Sequence, residues 1–526
     1  MEQRSPAPAT WRGPRPGSGL PAVALAVLVA ATSSCTVREP PSEDARPAER
    51  DAAVVTPPDG AREDASAEDA ASPAVAVFVL PGAPADAPDR FPSDATYERS
   101  LTLAYPLDGV LLPPNLGGLE VHFAPDDRDL YELRFEQNGE ACLLVYDVCE
   151  ARGSGCAVPL SDAMWQVLAT RRGGGPFALR VRALAGTTRT ESAPIAFELT
   201  DEPVRGGLYY WTTNPAAIHR YDFDLAHRQA EIYYDESDAS GHCVGCHALS
   251  RDGRTIAIGY GTEGPLAIVD VASRAASTRI DGQMAAFSPD ATQMIVGGIP
   301  SPDLTQALSI VRTDGTGSPS TLGVGAAPDW SPDGATLAAS DANGALWLFD
   351  ESAGSWTPRE LTDGGTERDQ FPSFAPDSEW IAFSRTTPST RPGGVESHVW
   401  ITTRSGATPH LLEKACRGSL DSMPRWSPEI FLTHGHRLFW LTFTSDLAYG
   451  VEPSGRERRI WMAAFDPGSS ELDPSHPPFL LPGQPTSGSS FIPQWTSVVR
   501  RQSCGSDGDC REGESCVDGV CVVAPI

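Results

Sequence analysis

Cys243-Val244-Gly245-Cys246-His247 is the segment whose residue types and spacing point most directly to chemistry. Two thiols separated by two residues, with an imidazole following at once, match the attachment signature of a c-type haem. The thiols would add to the two vinyl groups, and His247 would reach the iron as proximal ligand. Three other readings use the same residues. One is a structural disulfide between Cys243 and Cys246 in an oxidising compartment. Another is a thioredoxin-like redox pair, although no βαβ pattern surrounds it. The third is part of a zinc site, which would need further Cys or His ligands nearby.

The elements that position this motif are internal repeats. One turn recurs at Ser250-Arg251-Asp252-Gly253, Ser288-Pro289-Asp290-Ala291, Ser331-Pro332-Asp333-Gly334, Ala375-Pro376-Asp377-Ser378 and Ser427-Pro428-Glu429, in steps of 38 to 52 residues. Proline presets φ, Asp bonds its own backbone, and Gly accepts positive φ, so each is a tight turn between strands. An aromatic precedes four of them: Phe287, Trp330, Phe374 and Trp426. An apolar strand follows each turn, and a third strand often carries an apolar residue four before an Asp, as in Leu266 and Asp270 or Leu346 and Asp350. Units of about 40–45 residues holding four short strands are the mark of propeller blades. A sixth blade assembles from Gly207 to Thr213, Ile218 to Phe223 and Ala230 to Tyr234, with its missing first strand supplied by Phe491 to Ser497 from the far end of the chain. Such closure removes exposed sheet edges.

The repeat, with its Trp-Ser-Pro-Asp-Gly core, resembles the TolB-like propeller repeat over about residues 205–499. Cys-x-x-Cys-His running straight into such a turn also resembles bacterial envelope proteins identified as haem-bearing propellers. First strands line a propeller's central channel. Counting four residues back from each turn gives Cys246, Met284, Ala327, Phe371 and Met423, which should gather at one mouth of that channel. If haem is bound, Met284 or Met423 is the expected distal ligand, with His242 as a third candidate, because thioether commonly partners His on low-spin iron. Both methionines also suit a role as channel filler. His247 lies one residue out of phase with them.

Upstream, Arg4, Arg12 and Arg15 lead into the apolar run Leu20 to Ala31, which has the length of a signal-peptide core and is too short to span a membrane. Thr32-Ser33-Ser34-Cys35 resembles a bacterial lipobox, departing from it at Thr32, so residues 1–35 are expected to be a lipoprotein-type signal with Cys35 lipidated. Residues 36–94, rich in Pro, Ala and acidic residues, are expected to form a disordered tether. Alternating runs across 95–200, among them Leu119 to Phe123, Leu130 to Phe135, Cys142 to Val148, Trp165 to Ala169 and Phe177 to Leu184, suggest an immunoglobulin-like β-sandwich. The opening Tyr105-Pro106-Leu107-Asp108-Gly109-Val110 resembles the first strand of a fibronectin-type-III-like module. After the propeller, 201–499, the tail 500–526 holds Cys504, Cys510, Cys516 and Cys521. That segment needs two disulfides to keep a shape, and three pairings are open. The expected fold class is therefore all-β: a six-bladed propeller preceded by a sandwich and followed by a small disulfide-rich tail.

The net charge of −29, with Lys414 as the only lysine, argues against nucleic-acid binding and against an electrostatic hold on anionic lipid. No Gly-x-Ser-x-Gly elbow, His-Glu-x-x-His motif or phosphate loop is present, so no catalytic residue is assigned. His434 and His436 read as a turn flanking a strand, and Asp507 and Asp509 start a calcium-loop pattern that breaks off after two positions. Two functional classes remain. One is an exported, lipid-anchored propeller carrying one haem c, exchanging electrons with an envelope redox partner or sensing redox state. The other is a non-enzymatic envelope scaffold binding protein or polysaccharide, with Cys243 and Cys246 as a structural disulfide.

Overall fold

The computed structural model describes residues 53–54 and 75–523, apart from 126, 226–229, 262–263, 365, 389–394, 453–456 and 512. The signal segment and Cys35 lie outside the described residues. Six antiparallel sheets, each running outward as a meander, make the propeller. From the axis outward, blade 2 is Val244–Leu249, Thr255–Tyr260, Leu266–Asp270 and Ala276–Ile280. Blade 6 is Ser422–Trp426, His436–Ser445, Arg459–Phe465 and Phe479–Leu480, with Phe431–Thr433 added to its second strand. In blade 1 the inner strand is Ser490–Thr496 from the C-terminal end, paired to Gly207–Thr213. Each inner strand packs against the next, and Ser490–Thr496 packs against Val244–Leu249 and Ser422–Trp426, which completes the ring of six.

The recurring turn has a common physical design. Ser250, Ser288 and Ser331 donate their hydroxyls to the Asp two residues on, at 2.8, 2.6 and 2.6 Å. The same hydroxyl oxygens accept the N–H of Thr255, Gln293 and Thr336, the first residues of the following strands. Gly253 and Gly334 take φ of 67° and 77° at the fourth turn position, which glycine adopts without steric cost. Where the fourth residue is Ala291 or Ser378, φ is still positive, at 58° and 63°.

The N-terminal domain departs from expectation in three ways. Its twelve strands form one connected network, so a two-sheet immunoglobulin-like sandwich is not confirmed. Thr188–Ser192 makes the join, antiparallel to Phe177–Ala185 and parallel to Glu98–Tyr105. Second, residues 75–94, assigned above to the tether, belong to the fold. Ala76–Val79 pairs parallel with Glu140–Asp147, and Phe91 packs on Tyr146 with ring centroids 5.7 Å apart. Third, Trp165 to Ala169 is helical, within Asp162–Ala169. Ser161 caps that helix by accepting the N–H of Met164, and Met164, Trp165 and Leu168 fall on one buried face.

This domain is fused to the propeller by a shared core. Leu116, Tyr105 and Trp165 belong to the same apolar cluster as Trp440, Trp461 and Phe465 of blade 6. Polar ties cross the junction: Tyr221 donates to the Leu116 carbonyl at 3.2 Å, and Ser154 N–H to that of Val451 at 3.0 Å. In the tail, Cys504 pairs with Cys516 and Cys510 with Cys521; a third disulfide joins Cys149 to Cys156. Cys142 and Cys416 are free thiols and do not meet each other in a bond.

Candidate functional site: the propeller channel

The inner strands carry a shared irregularity that shapes the channel. Register shifts occur between Val244 and His247, Ala326 and Asp329, Gln370 and Ser373, and Ser422 and Arg425. Each shift is a β-bulge, which bends the strand and re-aims its side chains. At the bulges Ala327, Phe371, Met423 and Ile492 hold φ of 44°, 54°, 55° and 55°. All four precede proline: Pro328, Pro372, Pro424 and Pro493. Positive φ at a β-branched residue such as Ile492 is a steric outlier, and strain of this kind persists only where the surrounding packing imposes it.

The residues four back from the turns do gather. Met284, Ala327, Phe371, Met423 and Ile492 are buried in one cluster, with Cys246 packed against it. One residue from each blade thus forms an apolar layer. Two positions further along, the inner strands of blades 1, 4, 5 and 6 carry the polar residues Gln494, Asp329, Ser373 and Arg425, while Ala248 and Ala286 of blades 2 and 3 pack into the seams with the next blade. Asp329, Arg425 and Gln494 are half-buried. The Asp329 carboxylate accepts the Phe374 N–H at 2.7 Å. Burial pushes its pKa up, against the pull of Arg425 and Arg251. Arg425 donates to the carbonyls of Pro424 and Pro372 at 2.9 and 3.4 Å. Among the described residues, neither Arg425 nor Arg251 closes an ion pair within 4.0 Å.

His247 is placed differently from Cys246. It occupies the step that proline fills in four other inner strands. Its ring is turned to the seam with blade 1, where Nε2 donates to the Tyr209 carbonyl at 3.4 Å. That bond leaves Nδ1 as the unprotonated nitrogen, buried and without a hydrogen-bond partner. Burial pulls its pKa down to about 4, so the ring is neutral at pH 7. Cys246 keeps a free thiol, pushed by burial up to about 11. His242 is exposed and stacks on Tyr260, with centroids 5.5 Å apart.

A disulfide between Cys243 and Cys246 is therefore not formed. Cys246 is a free thiol, and Cys243 is bonded to another cysteine. Nor do the motif's groups converge as a haem requires. The Cys246 thiol faces the channel cluster, His247 faces the seam, and Cys243 is disulfide-bonded. Met284 and Met423 share the cluster of Cys246, whereas His247 and His242 are held by Tyr209 and Tyr260. Two channel residues were overlooked from sequence, Asp329 and Arg425. Their signal was available, since both sit two before the turn, immediately ahead of its aromatic.

No family model and no curated protein sequence matches this chain. Among solved structures it is similar to a protein assigned as TolB from Agrobacterium tumefaciens, at 16% identity over 53% of this chain and 88% of that one, with a TM-score of 0.32. It is also similar to a chain of a nidogen/laminin complex, at 11% identity over 56% and 99%, TM-score 0.37. A third similarity is to a chain of the hydrazine synthase of Kuenenia stuttgartiensis, at 14% identity over 44% and 70%, TM-score 0.29. The six-bladed fold itself stands on the strand order of this chain.

Proposed function

We propose that this chain is a non-enzymatic binding scaffold of the bacterial cell envelope, and that its propeller channel receives a carboxylate of the ligand. The observation that carries the reading is the polar layer behind the apolar mouth. There Arg425 and Arg251 lie within electrostatic reach of a single carboxylate, Asp329, and close no ion pair among the described residues. In a chain of net charge −29, a channel with surplus positive charge selects for an anion. Export and anchoring through Cys35 belong to the same reading. They are supported by the signal-like segment and by the disulfides Cys149–Cys156, Cys504–Cys516 and Cys510–Cys521 among the described residues, which suit an oxidising compartment. The test is calorimetry on the full chain with peptides bearing a free C-terminal carboxylate, their amides, and acidic oligosaccharides. Binding should need the carboxylate and weaken at least tenfold in Arg425→Gln. Equal affinity for acid and amide forms would overturn it.

A second reading places one haem c on Cys243, Cys246 and His247, for electron transfer to an envelope partner or redox sensing. What favours it is the buried, unpartnered Nδ1 of His247 and the free thiol of Cys246, the preceding residue. It requires a reductant to free the Cys243 thiol from its disulfide and the inner strand of blade 2 to open, so that both thiols and the imidazole would face one porphyrin. Expression with a haem-maturation system decides. A covalent haem in the reduced pyridine complex, lost in Cys246→Ser, would establish this reading, and a colourless protein would eliminate it.

A further inference from the structure

Outside the channel, three side chains of different donor chemistry meet at the junction of blades 5 and 6. We propose that His398, Cys416 and Asp421 form a binding site for Zn2+ or a divalent cation of similar softness. One imidazole nitrogen, one sulfur and one carboxylate oxygen lie within 4.8 Å of one another. Tetrahedral zinc with bonds of about 2.0–2.3 Å sets its ligand atoms about 3.3–3.7 Å apart. His398 Nδ1 and Asp421 Oδ2 are already 3.2 Å apart, so only the sulfur has to close by about 1 Å.

The backbone around His398 holds the other two ligands. Ser397 accepts the Asp421 N–H at 2.7 Å and donates its hydroxyl to the Asp421 carbonyl at 3.0 Å. On the other side, Val399 donates its N–H to the Cys416 sulfur at 3.2 Å. Outer hydrogen bonds of this kind orient metal ligands and support a thiolate. A second observation points to a cation. Asp421 is fully buried, and its Oδ1 has no hydrogen-bond partner. A buried carboxylate oxygen without a donor is costly unless a positive charge compensates it. Space is kept at that oxygen by Gly418, where an added Cβ would come within 2.8 Å of it.

Charge balances as well. Metal binding releases the Cys416 proton to solvent, and thiolate plus carboxylate then neutralise a divalent ion, with imidazole neutral. A fourth position opens beside His398, whose side chain is 28% exposed, and water can fill it. The only other such trio of close ligands among the described residues, Cys504, Cys510 and Cys521, is consumed by disulfides.

The experiment is a Co2+ titration of the chelator-treated full chain. One Co2+ should bind, with tetrahedral d–d bands and a thiolate-to-metal charge-transfer band, and Zn2+ should displace it. Cys416→Ser should abolish the charge-transfer band, His398→Gln should weaken binding at least tenfold, and Cys246→Ser and Cys142→Ser should leave both unchanged. Because a buried-site variant can fail to fold, the wild-type chain supplies a second readout. Alkylation of Cys416, followed by peptide mass, should slow at least tenfold in Zn2+. A charge-transfer band that survives in folded Cys416→Ser, absence of bound Co2+, or alkylation indifferent to Zn2+ would overturn the assignment.

Discussion

The inner strands of blades 2 and 6 share one backbone and carry opposite chemistry. Both bulge at the channel mouth, between Val244 and His247 in one and between Ser422 and Arg425 in the other. From the mouth inward, blade 6 reads Met423-Pro424-Arg425-Trp426 where blade 2 reads Cys246-His247-Ala248-Leu249. In blade 6, Met423 and Arg425 face the channel and Trp426 the seam with blade 5; in blade 2 only Cys246 meets the channel cluster, while His247 and Ala248 enter the seams with blades 1 and 3. Strand alternation separates neighbours in sequence. Cys246 and His247 are adjacent along the chain, yet one meets the channel cluster and the other a carbonyl of blade 1.

The fourth position should give the largest difference. Trp426 is 5% exposed, its ring packs edge-on to Phe439 and Phe465, and its Nε1 donates to the Ser373 carbonyl of blade 5 at 3.2 Å. Trp426→Ala removes the whole ring and should cost about 3–5 kcal/mol, whereas Leu249→Ala at the matching place should cost about 2–4 kcal/mol. Urea unfolding of both variants checks this. A Leu249→Ala cost equal to or above that of Trp426→Ala would show that the seams are not anchored by their aromatics.

The second position distinguishes the blades by pH. His247 has its folded pKa pulled down to about 4 by burial, against an ordinary value of 6.5. His219, stacked on its cross-strand partner Tyr210 within blade 1, is lowered likewise to about 4 by burial. Below pH 6.5 the unfolded chain takes up protons that the folded chain refuses, so stability falls with falling pH until about pH 4. Each ring should contribute a loss of up to about 3 kcal/mol across that window. His247→Gln should remove one such step, and Pro424 of blade 6 has no counterpart to it. If His247→Gln leaves the stability profile between pH 6.5 and 4 unchanged, the ring is not held neutral in the seam.

These contrasts also mark what the sequence made legible. The repeated turn is local chemistry, a serine hydroxyl bonded to an Asp and to the next strand, and so six blades and the closing strand Ser490–Thr496 can be read directly. The gathering of Met284, Ala327, Phe371 and Met423 follows from the same count. Motif chemistry was less legible, because Cys-x-x-Cys-His says nothing about the bulge that sends its members to different sides. Ala76–Val79 was hidden in a Pro- and Ala-rich stretch because four residues show no periodicity; its partner strand, Glu140–Asp147, is distant in sequence. The apolar run Met164 to Ala169 fits strand and helix alike, and only the Ser161 cap separates them. His398, Cys416 and Asp421 lie at irregular spacing on a strand and two loops, so only the folded chain brings them together.

The first position should give the smallest effect. Cys246 is a partly buried thiol beside an apolar cluster, and Cys246→Ala removes one sulfur rather than a ring. Its cost should be about 1 kcal/mol, well under the about 2–5 kcal/mol expected of Met423→Ala at the same place in blade 6. The sharper reading is chemical. With its pKa pushed up to about 11, Cys246 should carry about a hundredfold less thiolate at pH 8 than a thiol at the ordinary value of 9.0. Iodoacetamide labelling of the native chain should then leave Cys246 almost unmodified at pH 8 and speed up about tenfold per pH unit. A Cys246 that labels at the rate of an unfolded thiol would mean that the inner strand of blade 2 opens readily. Blade 2 would then differ from blade 6 in mobility as well as in chemistry, and the opening that a haem on His247 requires would be within reach.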